Sequence, residues 1–452
     1  MMKVRFVDLF AGMGGIRLGF EEAFKELNIQ TECVFTSEIK KEAIDALHHN
    51  FSHRNFNYDI TKIDLNSLED FDFVLAGFPC QAFSSAGNRD GFCDTRGTLF
   101  FEVEKILENK RPYGFLLENV EGLVKHDLKD KADEVGNTLK TILLSLESLG
   151  YKVSWKVLDS KNFGVPQSRK RIYIAGTLKQ KINLNEFDAF KSKTFKDIQE
   201  QGLPVISNHF TKKLLEHHRP EELYGKAIKD KRGGANNIHS WKFGLKGEIT
   251  KAQQSLVEKL FKERRKKHWA EKIGIEWMDG MPLTLEQIRT FFDLEGLECL
   301  LDDLVQKGYI KHEHPKNKVL KKLDNGSVVS RRERDPTKEK GYNIVSGKLS
   351  FKFSKILDIN DVTPTLVATD MERLGVIDNC KIRKLSLREG LRLFGYPETY
   401  KLDIFEENSA KKRKAFGLLG NTVVVPVVNQ IAKKLALAHI LGNIKLKTNK
   451  LF

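Results

Sequence analysis

The chain has 452 residues, of which 40% are hydrophobic and 10% aromatic, so it is too long for one ordinary domain and too apolar to be disordered. Lysine and arginine outnumber aspartate and glutamate by 76 to 61; the net charge of +15 favours a polyanionic partner, although a merely basic protein can have the same balance. No apolar run approaches the ~18 residues of a membrane span and the N-terminus lacks a signal-peptide pattern, so we expect a cytoplasmic protein with no membrane segment.

The cysteines exclude two further classes of protein. Cys33, Cys80, Cys93, Cys299 and Cys380 are odd in number and show no CxxC pairing. A disulfide framework and a zinc site both require a regular spacing that is absent here. We therefore expect neither disulfides nor a metal.

The first predicted strand, Val4–Leu9, leads into a glycine-rich turn with Phe10, Gly12 and Gly14, and helical periodicity follows over Ile16–Phe24. A strand, a glycine turn and a helix in this order are typical of a nucleotide-type cofactor site, because glycine lets the backbone approach a ligand closely. The spacing is not GxGxxG, and no Lys-Ser/Thr pair follows. The turn therefore argues against a nicotinamide cofactor and against a nucleoside triphosphate.

Acidic residues follow the next two predicted strands. The strand Cys33–Thr36 leads to Glu38, about 20 residues past the glycines, where a carboxylate can accept hydrogen bonds from ribose hydroxyls. A third run ends at Asp59 and Ile60, where Asp59 could accept from an exocyclic amine. Either acid alone is better explained as a helix cap or a surface charge, but two at successive strand ends favour a binding site.

Two more predicted strands end in chemically active side chains. Phe71–Leu75 is followed by Pro79 and Cys80, and Phe115–Leu117 by Glu118. Open α/β sheets bind ligands outside the carboxyl ends of their strands, which suits a nucleophilic thiol, whereas the alternative is a buried cysteine that only packs. Glu118 at the neighbouring strand end is a candidate proton donor.

Two arginines precede the last predicted strand of this region. Val153–Leu158 and Ile172–Ala175 read as strands, and Arg169 and Arg171 alternate between them. The alternation predicts both guanidinium groups on one face of a strand. Four predicted strand ends then meet at one edge of a sheet.

With these residues in place, the chain resembles the DNA (cytosine-5)-methyltransferases over roughly residues 1–180 and 380–435. Each matching block is weak alone, but the whole series in the family's order is very specific. The blocks are Asp8–Phe20, Ser37–Glu38, Asp59–Ile60, Gly77–Ser84, Gly97–Phe101, Glu118–Val120, Gln167–Arg171, Arg383–Ser386, Arg388–Gly390, Leu393–Pro397 and Gly420–Val424.

The resemblance implies a catalytic role for four residues. The thiolate of Cys80 would attack C6 of a cytosine flipped out of duplex DNA, and C5 would then take a methyl group from S-adenosyl-L-methionine. Glu118 would contact N3 and the exocyclic amine of the base. Arg169 would hold the base carbonyl oxygen, and Arg171 would order the site around it.

The resemblance also implies a set of cofactor-binding residues. They run from the methionine portion through the ribose and adenine to the pocket walls: Phe10, Gly12, Gly14, Glu38, Asp59, Ile60, Pro79, Leu99, Asn421 and Val423. Family members often carry glycine where this chain has Tyr58. No catalytic group is lost by that difference.

The implied fold is α/β, with a mixed sheet of the S-adenosylmethionine-dependent methyltransferase (Rossmann-like) type, helices on both faces, and a smaller target recognition domain. We expect a catalytic and cofactor-binding domain at 1–185, a recognition domain at 186–410, a returning C-terminal segment at 411–440 and a tail at 441–452, disordered from Lys445.

The recognition region carries two basic clusters, Lys262–His268 and Arg331–Arg334, and each either contacts DNA phosphates or is a solvated surface. Two amphipathic helices are predicted within Thr284–Ile310. Their order suits a winged-helix-like subdomain at about 270–318, or equally a helical scaffold. We hypothesise that this subdomain contacts DNA.

The favoured function is a sequence-specific cytosine-5 methyltransferase acting as a monomer on double-stranded DNA, paired functionally with a restriction endonuclease. A solitary regulatory DNA methylase and an RNA (tRNA) cytosine-5 methyltransferase are the alternatives. A catalytically silent binding protein is disfavoured, because it has no use for Cys80, Glu118 and Arg169 together.

Overall fold

The computed structural model describes residues 3–79, 99–128, 130, 132–231, 233–322, 328–345 and 351–448. The chain forms two compact units. The first unit comprises Met1–Gln201, Asp358–Glu372 and Leu385–Phe452, and the second comprises Gly202–Leu357 and Arg373–Lys384. Cys80 lies outside the described residues.

Sixteen strands are found in the described ranges. Seven belong to the first unit: β1 (Lys3–Leu9), β2 (Gln30–Ser37), β3 (Phe56–Asn57), β4 (Phe73–Ala76), β5 (Gly114–Val120), β6 (Lys152–Asp159) and β7 (Lys170–Thr177). Nine belong to the second: β8 (Ala227–Ile228), β9 (Asn237–Ile238), β10 (Ile310–Glu313), β11 (Lys316–Lys322), β12 (Val328–Arg334), β13 (Gly341–Ile344), β14 (Lys355–Ile356), β15 (Leu374–Asp378) and β16 (Lys381–Lys384).

Twelve α-helices are found in the same ranges. The first unit contains α1 (Gly15–Glu26), α2 (Lys41–Asn50), α3 (Leu99–Lys110) and α4 (Asn137–Ser148). The second contains α5 (His209–His217), α6 (Lys251–Glu263), α7 (His268–Ile273), α8 (Leu285–Arg289) and α9 (Leu297–Gln306). The chain then adds α10 (Leu387–Leu393), α11 (Ser409–Asn421) and α12 (Val425–Thr448) to the first unit.

The first unit is built on a seven-stranded mixed sheet in the order β3-β2-β1-β4-β5-β7-β6. The strands β1 to β5 are mutually parallel, whereas β7 runs antiparallel to β5 and β6. The carboxyl ends of β1 to β5 therefore share one edge, and the start of β7 lies at that same edge. The central strands are fully buried, with Val7, Val74 and Leu117 at 0% exposure, because helices cover the sheet.

The chain returns to the first unit before residue 411, the predicted start of the C-terminal segment. Residues 358–372 and 385–410 belong to it. Thr363 bridges to Gln167, and the Gln167 side chain donates a hydrogen bond to the Leu393 carbonyl at 2.9 Å. These contacts anchor the segment next to the arginine-containing loop.

The end of the chain also differs from the predicted tail at 441–452. Helix α12 continues to Thr448, so residues 441–448 are helical. Its earlier turns are buried, with Val428, Ile431 and Leu435 at 0% exposure, and a helix with this support can extend further than periodicity alone predicts. Among the described helices none is, by itself, long and apolar enough to cross a membrane; by length and composition alone, the bent pair Ser409–Asn421 and Val425–Gly442 passes the test.

The second unit has a five-stranded sheet, β16-β15-β14-β8-β9, and two separate antiparallel pairs, β10–β13 and β11–β12. One apolar cluster joins helices α6, α8 and α9 to β10 and β13, and it includes Leu260, Ile288, Leu301, Ile310 and Tyr342. Two predicted helices within Thr284–Ile310 match α8 and α9, although α8 is only five residues long.

Candidate active site

A cavity of about 350 Å³ lies at the carboxyl edge of the sheet in the first unit, in the size range of small-molecule sites. Eleven of the predicted site residues line it: Phe10, Gly12, Glu38, Asp59, Ile60, Pro79, Leu99, Glu118, Arg169, Arg171 and Asn421. Residues from five successive strand ends thus meet around one space.

Two predicted cofactor residues, Gly14 and Val423, do not line this cavity. Gly14 has a φ of 75° at the start of α1, and a Cβ there would lie 2.4 Å from the ring of Phe51. A methyl of Val423 would lie 2.8 Å from a Cβ placed on Gly15. Both residues therefore shape the glycine turn through packing.

Glu38 ties the glycine turn to the end of β2. Its Oε2 accepts a hydrogen bond from the Gly12 N–H at 2.8 Å, and its Oε1 accepts from the Lys40 N–H at 2.8 Å. A carboxylate has about four acceptor sites, so Glu38 can still accept from two ligand hydroxyls. This geometry suits a ribose.

Asp59 lines the cavity two residues after the end of β3. Its Oδ1 accepts hydrogen bonds from the Thr61 N–H at 3.1 Å and from the Thr61 hydroxyl at 2.8 Å. These hydrogen bonds lower the pKa of Asp59, so the carboxylate is charged at neutral pH. Such a carboxylate can accept from an amine on a bound ring.

Glu118 and Arg171 form an ion pair on the far wall of the cavity. The Arg171 Nε lies 3.2 Å from the Glu118 Oε1, and only 12% of the Glu118 side chain and 15% of the Arg171 side chain are exposed. Burial raises the pKa of Glu118 above its ordinary value, while Arg171 and Arg169 act in the opposite direction. The result is a carboxyl group that holds a proton to higher pH than a surface glutamate.

Arg169 stabilises the backbone at the cavity by donating hydrogen bonds to three carbonyl groups. One terminal nitrogen donates to the Leu366 carbonyl at 2.9 Å, and the other donates to the carbonyls of Gly420 at 3.1 Å and Thr422 at 3.0 Å. The guanidinium also lies 5.3 Å from the ring centre of Phe394. Arg169 thus lines the cavity and joins three chain segments next to it.

The segment that leads to Cys80 runs beside Glu118. A Cβ on Gly77 would lie 3.7 Å from the Glu118 Oε2, and Pro79 lines the cavity. The Asn119 side-chain amide donates to the Phe78 carbonyl at 3.2 Å. The described chain therefore delivers the residue before Cys80 to the cavity.

Several lining residues were not predicted as site residues: Met13, Ser37, Ile39, Lys40, Ala43, Tyr58, Gly77, Phe78, Val120, Leu418 and Gly420. Tyr58 is notable because it is 59% exposed and directly precedes Asp59. Its place next to a predicted adenine contact was the available signal.

The fold and the cavity define an α/β enzyme that binds a nucleoside-type cofactor beside a buried acid–guanidinium pair. The chain belongs to the C-5 cytosine-specific DNA methylase family, whose sequence model matches residues 4–437. It is 54% identical over 435 residues to Type II methyltransferase M.NlaIV of Neisseria lactamica, spanning 96% of this chain and 99% of the relative. The same identity and coverage hold for Type II methyltransferase M.NgoBV of Neisseria gonorrhoeae.

The solved structures agree on the fold. The Entamoeba histolytica methyltransferase EhMeth aligns with a TM-score of 0.50 at 15% identity, spanning 96% of this chain and 98% of that one. The predicted family, the α/β methyltransferase fold, the DNA cytosine-5 methyltransferase activity and the cofactor S-adenosyl-L-methionine are confirmed.

The cavity fits S-adenosyl-L-methionine. Apolar side chains of Phe10, Ile60 and Leu99 supply flat walls for a purine, and the carboxylates of Glu38 and Asp59 can accept from ribose hydroxyls and the adenine amine. When bound, this cofactor supplies an electrophilic methyl group on a sulfonium.

Proposed function

We propose that Cys80, Glu118 and Arg171 carry out the methyl transfer to cytosine. The observation that supports this most directly is the Glu118–Arg171 ion pair at 3.2 Å in a cavity that Pro79 also lines. An acid and a guanidinium side by side match one edge of cytosine, which presents a ring nitrogen, an amine and a carbonyl oxygen. Cys80 directly follows Pro79 in the sequence, and the resemblance implies that it is the nucleophile.

In this mechanism the thiolate of Cys80 forms a bond to C6 of the base. Protonated Glu118 gives or shares its proton with N3, which neutralises the charge that develops on the ring. The electron-rich C5 would take the methyl group from the cofactor sulfonium, which would leave as a neutral thioether. Loss of the C5 proton to a base would then expel the Cys80 thiolate, and return of the N3 proton to Glu118 would restore the neutral aromatic ring.

We assign the base carbonyl oxygen to Arg171, whereas the resemblance implied Arg169 for this contact. Arg169 is engaged with the carbonyls of Leu366, Gly420 and Thr422, and its role is to position the site. Arg171 lies beside Glu118, so its guanidinium can donate to the oxygen next to N3. The positive charge of both arginines also favours the thiolate form of Cys80.

We propose the remaining roles from the lining of the cavity. Phe10 and Gly12 contact the methionine portion of the cofactor, Glu38 the ribose, and Asp59 with Ile60 the adenine. The walls are Pro79, Leu99 and Asn421. Gly14 and Val423 support the pocket by packing on α1.

We further propose that the protein is the modification enzyme of a type II restriction–modification system. Near-full-length identity of 54% to two Type II methyltransferases supports this role. It would act as a cytoplasmic monomer on double-stranded DNA and protect that DNA from a cognate endonuclease. The second unit would be the target recognition domain.

Transfer of labelled methyl groups to duplex DNA and to tRNA tests the proposal. We expect incorporation into duplex DNA only, and its loss in Cys80→Ala with DNA binding retained. Incorporation into tRNA alone, or full activity of Cys80→Ala, would contradict it.

A further inference from the structure

The second unit contains elements in the order of a winged-helix module. Helix α6 and the short helix α7 are followed by an extended residue, Leu283, then by α8, α9, β10, the β11–β12 ribbon and β13, so that α7 is an addition to the winged-helix order. Leu283 bridges antiparallel to Tyr342 on β13, and β10 pairs with β13 from Ile310 to Glu313. Three extended segments thus carry the ribbon as a wing, and the module spans about 251–345, not the predicted 270–318.

Helix α9 occupies the place of a groove-reading helix in this order, but its charge opposes contact with DNA. Residues 293–306 contain five acids and no lysine or arginine. Asp293, Glu295, Glu298 and Asp302 are exposed. Duplex DNA carries about one negative charge per 1.7 Å of its axis, so this surface repels it.

The β11–β12 ribbon has the opposite charge. Its two strands contain seven lysines and arginines and a single acid, Glu333. In the antiparallel register Lys316 lies opposite Arg334, and Lys318 opposite Arg332. Cross-strand partners share a face, and like charges directly opposite each other destabilise a ribbon. A bound polyanion would relieve this repulsion.

The acids near the ribbon leave part of its charge uncompensated, although Glu333 pairs with Lys321 at 2.6 Å. Glu276 lies 3.7 Å from Lys318 and 3.9 Å from Arg332, and Glu313 lies 3.7 Å from Arg334. In the part of the chain that the structure describes, Lys316 and Arg331 form no ion pair. Leu320, on the same face as Lys316 and Lys318, is 68% exposed, as in a surface that a partner covers.

The other basic cluster, Lys262–His268, is largely used within the unit. Arg264 is buried and donates to the Asn343 side chain at 2.8 Å. Arg265 pairs with Asp279 at 2.6 Å, and Lys266 with Glu263 at 2.7 Å. The ribbon is therefore the better candidate for a contact with an external anion.

We propose that the β11–β12 ribbon, and not helix α9, binds the phosphate backbone of the duplex DNA substrate. The proposal rests on the assignment of duplex DNA as substrate and adds the surface that holds it. Phosphate contacts fix the position of a protein on DNA without reading sequence. The ribbon accordingly contributes affinity equally on target and non-target DNA.

The test is the salt dependence of DNA binding by full-length Lys316→Gln/Lys318→Gln, which removes two cations from one face of the ribbon. We expect the slope of log K against log salt to become shallower by about 2, since each phosphate contact contributes about 0.9. The KM for DNA should rise while kcat at saturating DNA is unchanged. Lys212→Gln/Lys251→Gln, with the same charge change at exposed positions of α5 and α6, should keep the wild-type slope.

Three results would overturn the proposal. One is a wild-type slope in the ribbon variant, with circular dichroism showing it folded. Another is an equal change in the control variant. The third is loss of DNA binding in Glu298→Gln/Asp302→Asn, which should bind DNA as well as or better than wild type. Methyl transfer by the wild-type enzyme to the same duplex is measured in parallel, so a failure of the ribbon is distinct from a failure of the substrate assignment.

Discussion

The Arg171 Nε lies 3.2 Å from the Glu118 Oε1 because of the register between β5 and β7. Glu118 pairs with Tyr173 and Val120 pairs with Arg171 across the two antiparallel strands. Glu118 and Arg171 are thus diagonal neighbours on one face of the sheet. The reversal of β7 in an otherwise parallel region is what brings a guanidinium to the acid.

The two arginines should respond differently to substitution. Arg171→Gln should lower kcat on the order of 10²–10³-fold with a loss of about 1 kcal/mol in stability, because Glu118 can take up a proton. Arg169→Gln should lower the free energy of unfolding by on the order of 3 kcal/mol, since three backbone carbonyls lose a charged donor. Single-turnover kinetics measure the loss of rate, and urea unfolding measures the loss of stability. A loss of rate mainly in Arg169→Gln and a loss of stability mainly in Arg171→Gln would exchange the two roles.

The pH profile should report on Glu118. Burial raises the pKa of this carboxyl above 4.5, and the mechanism needs its protonated form. The kcat/KM should therefore fall as pH rises through that raised pKa. Glu118→Gln should have a kcat/KM lower by about 10²–10⁴-fold, and its kcat/KM should not fall over this pH range. The same fall of kcat/KM in Glu118→Gln would show that another group titrates.

The glycine turn offers a matched pair of substitutions. Gly12→Ala places its Cβ 4.0 Å from the nearest atom and costs only the strain of a φ near 57°, about 1 kcal/mol, but it should weaken S-adenosyl-L-methionine binding. Gly14→Ala places its Cβ 2.4 Å from the Phe51 ring, so overpacking adds about 1–3 kcal/mol. Calorimetry measures the affinity for S-adenosyl-L-methionine, and urea unfolding measures the free energy of unfolding. Equal losses of stability would contradict the packing role of Gly14.

Asp8 should make the stability of the first unit depend on pH. The side chain is fully buried, neither oxygen has a hydrogen-bond partner among the described residues, and burial raises its pKa to about 7. Folded protein then holds a proton that the unfolded chain releases above pH 3.8, so stability falls between pH 4 and 7, by up to roughly 4 kcal/mol. In Asp8→Asn the free energy of unfolding, measured in urea, should vary less with pH between pH 4 and 7. A pH dependence equal to that of the wild-type protein would contradict this.

The sequence predicts two strands of the sheet closely. Predicted Val4–Leu9 and Val153–Leu158 correspond to β1 and β6 within one residue at each end. Apolar residues recur along both segments, which is a strong signal even for β6 at the edge of the sheet. The two-residue strand β3 has no such signal, since its pairing depends on β2.

The arginine roles show what local pattern cannot supply. Arg169 and Arg171 alternate in the sequence, which predicted one shared face, yet Arg169 precedes β7 and bonds to carbonyls 197 or more residues away. Likewise, Arg264 belongs to a basic run but is buried against Asn343, 79 residues on. Long-range contacts of this kind are set by tertiary packing and leave no periodicity in the chain.

The most direct test of the account is bisulfite sequencing of DNA from cells that express the protein or its Cys80→Ala variant. We predict that the wild-type protein protects one cytosine in a single recurring sequence from conversion, and that the variant protects none. Absence of protected cytosines with wild-type protein, or equal protection by Cys80→Ala, would contradict methyl transfer to C5 through the Cys80 adduct.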